Sequence, residues 1–210
     1  HSFSQNKKIT SREDHVSQVS STVNAGGNIT LSAGKDLNLI ASRVSAGDEA
    51  YLFAGNDVNL ETADNVDYSY YSKTKKGSFG KKKSTMTETD SVMSASSSVE
   101  AGNKLAISAG QDFNATGAKL NSDGTLLATA GRDINLHAAE DYASQANASS
   151  KKGWSSSKSS SSEVTQTRLN STELVAKNIE LKADNDISLT AAALRAEEAV
   201  KLTAGNDVLI

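Results

Sequence analysis

The sequence predicts an all-β fold, a right-handed parallel β-helix (solenoid) with about 21 residues per coil and projecting β-hairpin inserts, on three observations. One phrase recurs with little change: AGKDLNLIAS from Ala33, AGNDVNLETA from Ala54, AGRDINLHAA from Ala130, ADNDISLTAA from Ala183 and AGNDVLI from Ala204. Its spacing within pairs is constant, since Ala33 and Ala54, Ala109 and Ala130, and Ala183 and Ala204 each stand 21 residues apart. Within the phrase apolar and polar residues alternate, as in Val58, Asn59, Leu60 and Glu61, and no segment has a helical period.

Each element of the coil follows from that alternation. The tight phrase is one short strand, with Leu37 and Leu39, Val58 and Leu60, or Ile134 and Leu136 on its buried face, and Asn59 and Glu61 facing outward. A looser phrase begins eight residues upstream, at Ala25, Ala46, Ala101, Ser122, Val175 and Ala196, and supplies a second strand, with pairs such as Ile29 and Leu31 turned inward. A lone apolar residue before it (Val23, Val44, Val99, Leu120, Leu174 or Leu194) marks a third, shorter strand. No such strand can bury its face alone. If every 21 residues complete one coil, like residues stack about 4.8 Å apart and the inward columns form a continuous dry core. Each Leu or Ile in a column then contributes roughly 1.5 to 3 kcal/mol by burial. A leucine-rich repeat has a similar length, but its signature is absent. The handedness preference of parallel crossovers assigns a right-handed coil.

Two residue types mark the corners. Gly follows the opening Ala in most copies, as at Gly55 and Gly110, which predicts a backbone with positive φ there. Asp36, Asp57, Asp112, Asp133, Asp186 and Asp207 hold one position in successive copies of the tight phrase. They read as a structural turn ladder whose carboxylates accept nearby turn N–H groups. The competing reading, a calcium column, is disfavoured because nonapeptide calcium repeats place Asp every nine residues, not every 21.

A longer period overlies the short one. Coil blocks at 25–63, 101–139 and 175–210 alternate with unlike inserts at 64–98 and 140–172, and residues 1–22 read as the trailing part of a preceding insert. The blocks begin at Ala25, Ala101 and Val175, and Phe3, Phe79 and Trp154 recur in nearly the same rhythm. β-prone arms flank the Gly- and Lys-containing centre of the first insert, and the second repeats the plan with more Ser, so both read as hairpins. No terminal cap is visible, so the whole of 1–210 reads as a single β-helical segment of a longer protein.

Composition narrows the function. Cys and Pro are absent, aromatics are 5% and the net charge is −3, so there is no disulfide or thiolate metal site and no field that points to nucleic acid. No apolar run approaches the roughly 20 residues of a transmembrane helix. His1, His15 and His137 form no metal-ligand spacing, and nucleophile and phosphate-loop motifs are missing, so no metal, cofactor or catalytic residue is expected. The hairpin tips are the candidate binding residues: Phe3; Lys75, Lys76, Phe79, Lys81, Lys82 and Lys83; and Lys151, Lys152 and Trp154. Lys beside an aromatic grips anionic glycans or phosphates through charge and stacking. Equally, Lys on a projecting strand keeps it soluble and blocks edge-to-edge pairing, and both readings stay open.

The alternation of AGxDhxL and AGxxhxL phrases with inserts such as SSKKGWSSSKSSSS resembles, over essentially the whole chain, the haemagglutinin-repeat region of the filamentous haemagglutinin family. In style it is similar to two-partner secretion exoproteins, including contact-dependent growth inhibition toxins of the CdiA type. The resemblance implies a non-catalytic stalk of a secreted exoprotein on a Gram-negative cell surface, exported by an outer-membrane transporter and contributing to toxin delivery or target-cell contact. An adhesin segment that binds surface glycans through the Lys and aromatic tips is the alternative. A target-cell surface receptor or membrane is the partner to expect in either case, and the toxin itself has no counterpart in these residues.

Overall fold

The computed structural model describes residues 2–5 and 8–210; His1 lies outside them. The chain divides into two units, a sheet unit (1–17, 64–93 and 140–168) and a coil unit (18–63, 94–139 and 169–210).

In chain order the strands are β1 (Ser2–Gln5), β2 (Ile9–Val16), β3 (Thr22–Ala25), β4 (Ile29–Ala33), β5 (Leu37–Ile40), β6 (Arg43–Ala46), β7 (Glu49–Ala54) and β8 (Val58–Glu61). Two long strands follow, β9 (Ala63–Lys76) and β10 (Lys82–Ala95). Next come β11 (Ser98–Ala101), β12 (Lys104–Ala109), β13 (Phe113–Thr116), β14 (Lys119–Ser122), β15 (Thr125–Ala130) and β16 (Ile134–His137). The remainder are β17 (Ala139–Lys152), β18 (Ser157–Asn170), β19 (Thr172–Ala183), β20 (Ile187–Thr190), β21 (Ala192–Ala204) and β22 (Val208–Leu209).

The coil unit is a parallel β-helix of six coils. One of its sheets stacks β5, β8, β13, β16, β20 and β22 in sequence order, and the other contains the first and middle strands of every coil. Like pairs with like: Val23 lies beside Val44, Val44 beside Val99, Val99 beside Leu120, Leu120 beside Leu174 and Leu174 beside Leu194. The stack does not skip at the inserts, since Val58 pairs directly with Phe113 although the whole first hairpin lies between them in sequence. Size is balanced inside the columns. Fully buried Phe113 shares its strand with Ala115, whereas the next coil has Ile134 and Leu136, so neighbouring layers interdigitate at near-constant volume.

Three details differ from the reading of the sequence. The corner glycines do not have positive φ; among the described residues only Gly80 and Gly117 do. Their cause is closeness instead. A Cβ on Gly55 would stand well under 3.0 Å from the Gly34 carbonyl oxygen, and one on Gly110 equally close to that of Gly55. Left-handed backbone appears at another corner, with φ of 44° at Ala41, 57° at Gly117 and 52° at Ala191, between the two coils of each block. Finally, the regular spacing slips at the loose phrase of the last block. Leu174 pairs with Leu194 and Ala176 with Ala196, one residue short of the usual step, before a bulge between Ala176 and Asn178 restores it at Asn178 and Ala199. Lys177 and Glu197 stand there in place of Gly, and β19 and β21 run unbroken through that corner.

The sheet unit holds the inserts, which are ordered hairpins. They pair with one another in a six-stranded sheet ordered β1, β2, β9, β10, β17, β18. The trailing arm of one hairpin meets the leading arm of the next, antiparallel, as in Val16 with Val66 and Val92 with Tyr142. No described residue of this unit is buried, so it is a single-layer sheet without a hydrophobic core. Local pairs support it: the Arg12 guanidinium lies 5.5 Å from the centre of the Tyr68 ring, and His15 Nδ1 stands 2.6 Å from Asp67. No helix among the described residues is long and apolar enough to cross a membrane.

Candidate functional site

Chemistry concentrates at the tips of the two complete hairpins. In the first, Gly77 N–H donates to the Lys81 carbonyl at 2.8 Å and Lys81 N–H to that of Ser78 at 3.4 Å. Both central residues of that turn, Phe79 at 57° and Gly80 at 73°, have positive φ, the signature of a type I′ hairpin turn. Gly takes this conformation freely, but for a bulky aromatic it costs about 1 to 2 kcal/mol. Phe79 gains no burial in return, being 88% exposed. The second tip closes with Gly153 N–H on the Ser156 carbonyl at 2.7 Å and leaves Trp154 91% exposed.

Phe3 is not at a tip, contrary to its place in the long register. It lies inside β1, 63% exposed, opposite Arg12. The reason is pairing: β1 folds back along β2 and satisfies the backbone groups on the edge of β2 away from β9.

The tip lysines come together around a concavity of about 670 Å³, lined by Lys75, Lys76, Lys81, Lys82, Lys83, Lys151, Lys152 and Lys158 with small Gly and Ser residues, and by no carboxylate. Lys73, Lys75 and Lys83 share a neighbouring hollow with Thr85. Lys82 stands directly opposite Lys152, and Lys83 opposite Lys151. Successive residues of a strand start from opposite faces, yet both like-charged pairs line the one concavity at the tips.

Polar ladders occupy the coil unit. Each Asp of the turn column up to Asp186 reaches the next coil instead of its own turn. Asp36 accepts from Asp57 N–H (3.4 Å), Asp57 from Asp112 (3.0 Å), Asp112 from Asp133 (3.2 Å), Asp133 from Asp186 (3.1 Å) and Asp186 from Asp207 (3.0 Å). Arg132 lies against this column, its Nε donating to Asp112 at 2.7 Å, and its guanidinium holds the Asp112 carboxyl below the usual carboxylate range. Among the described residues no group of three or more His, Cys, Asp or Glu gathers as a metal would require.

Sequence reasoning missed two further sets. Strand alternation turns Asn59 outward but does not reveal its bonds: its amide donates to Asn38 (2.8 Å), Asn114 to Asn59 (2.9 Å) and Asn135 to Asn114 (3.0 Å). The signal was present, one Asn in the same slot of four successive copies. Ser97 and Thr172, in equivalent places after the first and second inserts, plug the corner where each insert returns to the coil. The buried Ser97 hydroxyl sits 2.8 Å from the Leu39 carbonyl and 2.6 Å from that of Glu61; Thr172 does the same with Ala115 (3.2 Å) and His137 (2.5 Å).

Sequentially stacked coils, inserts that pair among themselves and a cationic, aromatic tip define a β-helical repeat protein with a second unit built of hairpins. The chain belongs to the hemagglutinin repeat family, whose model matches residues 2–82, 77–156 and 152–210. The matches follow one another at the same period as the hairpins. Among curated proteins it is 35% identical over 140 residues to a protein named 16S rRNA endonuclease CdiA, from Enterobacter cloacae subsp. cloacae. That stretch is 66% of this chain and spans only 4% of the relative. No solved structure matches the chain significantly.

Proposed function

We propose that this chain is a non-catalytic stretch of stalk in a secreted, surface-attached exoprotein of a Gram-negative bacterium, exported by an outer-membrane two-partner transporter, and that its hairpin unit serves target-cell contact during toxin delivery. Family membership and the relative named CdiA support the stalk. The endonuclease activity in that relative's name is assigned to some other part of it, because the shared stretch is 4% of its length. One observation carries the contact role. Coil stacking passes uninterrupted across each insert, from Val58 to Phe113, while the inserts build a second sheet of their own that the coil does not need for its core.

The test is made in the full-length parent. Removing residues 62–95 leaves Ser96 and Ser97 to turn the corner that Ala41 and Ser42 turn one coil earlier, by the pairing of Ser42 and Ser97 beside Arg43 and Ser98. Target-cell killing is expected to fall while secretion and surface display persist. Unchanged adhesion and killing would overturn the contact role. The adhesin reading draws on a different observation, the exposure of Phe79 and Trp154, and predicts that Phe79→Ala with Trp154→Ala abolishes retention on lipopolysaccharide or heparin.

A further inference from the structure

We propose that the paired lysine rows at the hairpin tips form a binding site for a phosphate-bearing polyanion. The proposal rests on the hairpin unit being a contact surface and specifies what it contacts. Lysines that only protect a sheet from aggregation belong on its edge strands. Here the edges are β1 and β18, whereas Lys75 and Lys76 lie in β9, Lys82 and Lys83 in β10, and Lys151 and Lys152 in β17, all interior strands. Edge protection therefore does not account for them.

Several cations of the coil unit are set against carboxylates. There Lys201 stands directly opposite Glu180, with Nζ 2.6 Å from the carboxylate, Lys177 pairs with Glu198 at 3.1 Å, and Arg43 grips Glu100 at 2.7 and 2.9 Å. At the tips lysine is set against lysine instead. Lys82 faces Lys152 and Lys83 faces Lys151, none of them ion-paired among the described residues, in an arrangement that repulsion disfavours. An anion laid across the strands relieves that repulsion, and a polyanion does so at every strand it crosses, the ammonium groups repeating at the strand spacing of about 4.8 Å. Lys suits this ligand as a flexible point charge with three donors. Phe79 and Trp154, held in solvent beside the rows, suit phosphates presented on a lipid surface, where an aromatic enters the interface.

Phosphates of a lipid headgroup and of a free polyphosphate offer the same chemistry, and two probes separate them. The intact 210-residue chain is titrated with inorganic polyphosphate, and sedimented with phosphatidylcholine vesicles with or without phosphatidic acid while the fluorescence of Trp154, its single tryptophan, is followed. Lys83→Gln with Lys151→Gln, and separately Lys82→Gln with Lys152→Gln, are expected to weaken binding at least tenfold at low salt without lowering the unfolding midpoint. Lys83→Arg with Lys151→Arg keeps it. The charge-matched control, Lys35→Gln with Lys182→Gln in the coil unit, binds as the unaltered chain does.

Equal binding by the tip and control variants would overturn the proposal, as would loss in the Arg variant or unfolding of the Gln variants, since the lysines would then be packing elements. Binding to phosphatidic acid vesicles with a blue shift of Trp154 identifies the lipid source, and binding to polyphosphate alone identifies the free one. If removal of residues 62–95 abolishes killing but the lysine variants bind normally, only this proposal fails. If the lysine variants lose binding but killing survives that removal, the contact role fails and the site stands.

Discussion

A methyl group at a corner decides whether two coils can touch. On Gly110 it would stand well under 3.0 Å from the Gly55 carbonyl oxygen, backbone against backbone, and no rotamer relieves it. Gly110→Ala is therefore expected to cost about 3 kcal/mol or more. Gly34→Ala, where nothing lies within 4 Å, should stay within about 0.5 kcal/mol, and parallel urea titrations of the two variants measure the contrast. Asp112 illustrates charge at the same scale. Its carboxyl is held low first by the Arg132 hydrogen bond and then by Asp133 N–H, against the opposing effect of desolvation. A depressed folded-state value means that its stabilisation is complete above the ordinary carboxylate pKa of about 3.9 and disappears as pH falls through the lower folded value. Arg132→Gln removes the chief cause, so the acid unfolding midpoint followed by circular dichroism should move to higher pH.

At the scale of the element, the hairpins must leave and re-enter the coil without exposing its ends, and a single hydroxyl closes each return. Ser97 meets a carbonyl from each of the two coils before it, Leu39 and Glu61, and accepts Ser42 N–H at 3.3 Å. Ser97→Ala leaves buried carbonyls short of a donor and is expected to cost about 1 to 3 kcal/mol. Ser97→Thr should restore most of it, because Thr172 fills the equivalent corner at the next insert, and thermal unfolding of the pair distinguishes a lost hydrogen bond from lost volume. The Asn ladder is also an element-scale device. It ends where Ser188 takes the next position beside Asn135, so its four members tie the first four coils only.

At the scale of the whole molecule, the long period has a physical basis. Each repeat adds two coils to one unit and two strands to the other, so both advance by two strand spacings, about 9.6 Å. Excision of residues 62–137 removes one hairpin and two coils together, and β2 is expected to pair with β17 as it now pairs with β9. Hydrogen exchange should then show Ser144 and Ala146, which face β10 in the unaltered chain, still protected.

The sequence by itself determined the coil, because strand alternation and a constant spacing are local properties that any reader of Val58, Asn59, Leu60 and Glu61 can count. It also placed the hairpin tips at Phe79 and Trp154, where Gly and Lys interrupt the β-prone arms. What it did not contain is partnership. Whether Asp57 ties its own turn or the next coil, whether Gly55 serves φ or contact, and whether Phe3 sits at a tip or in a strand all depend on which backbone lies alongside. The lysines are the clearest instance. Their composition is legible in one dimension, but the opposition of Lys83 to Lys151, far along the chain, exists only once two hairpins share a sheet, because antiparallel register is set by the pairing of whole arms and not by any residue within them.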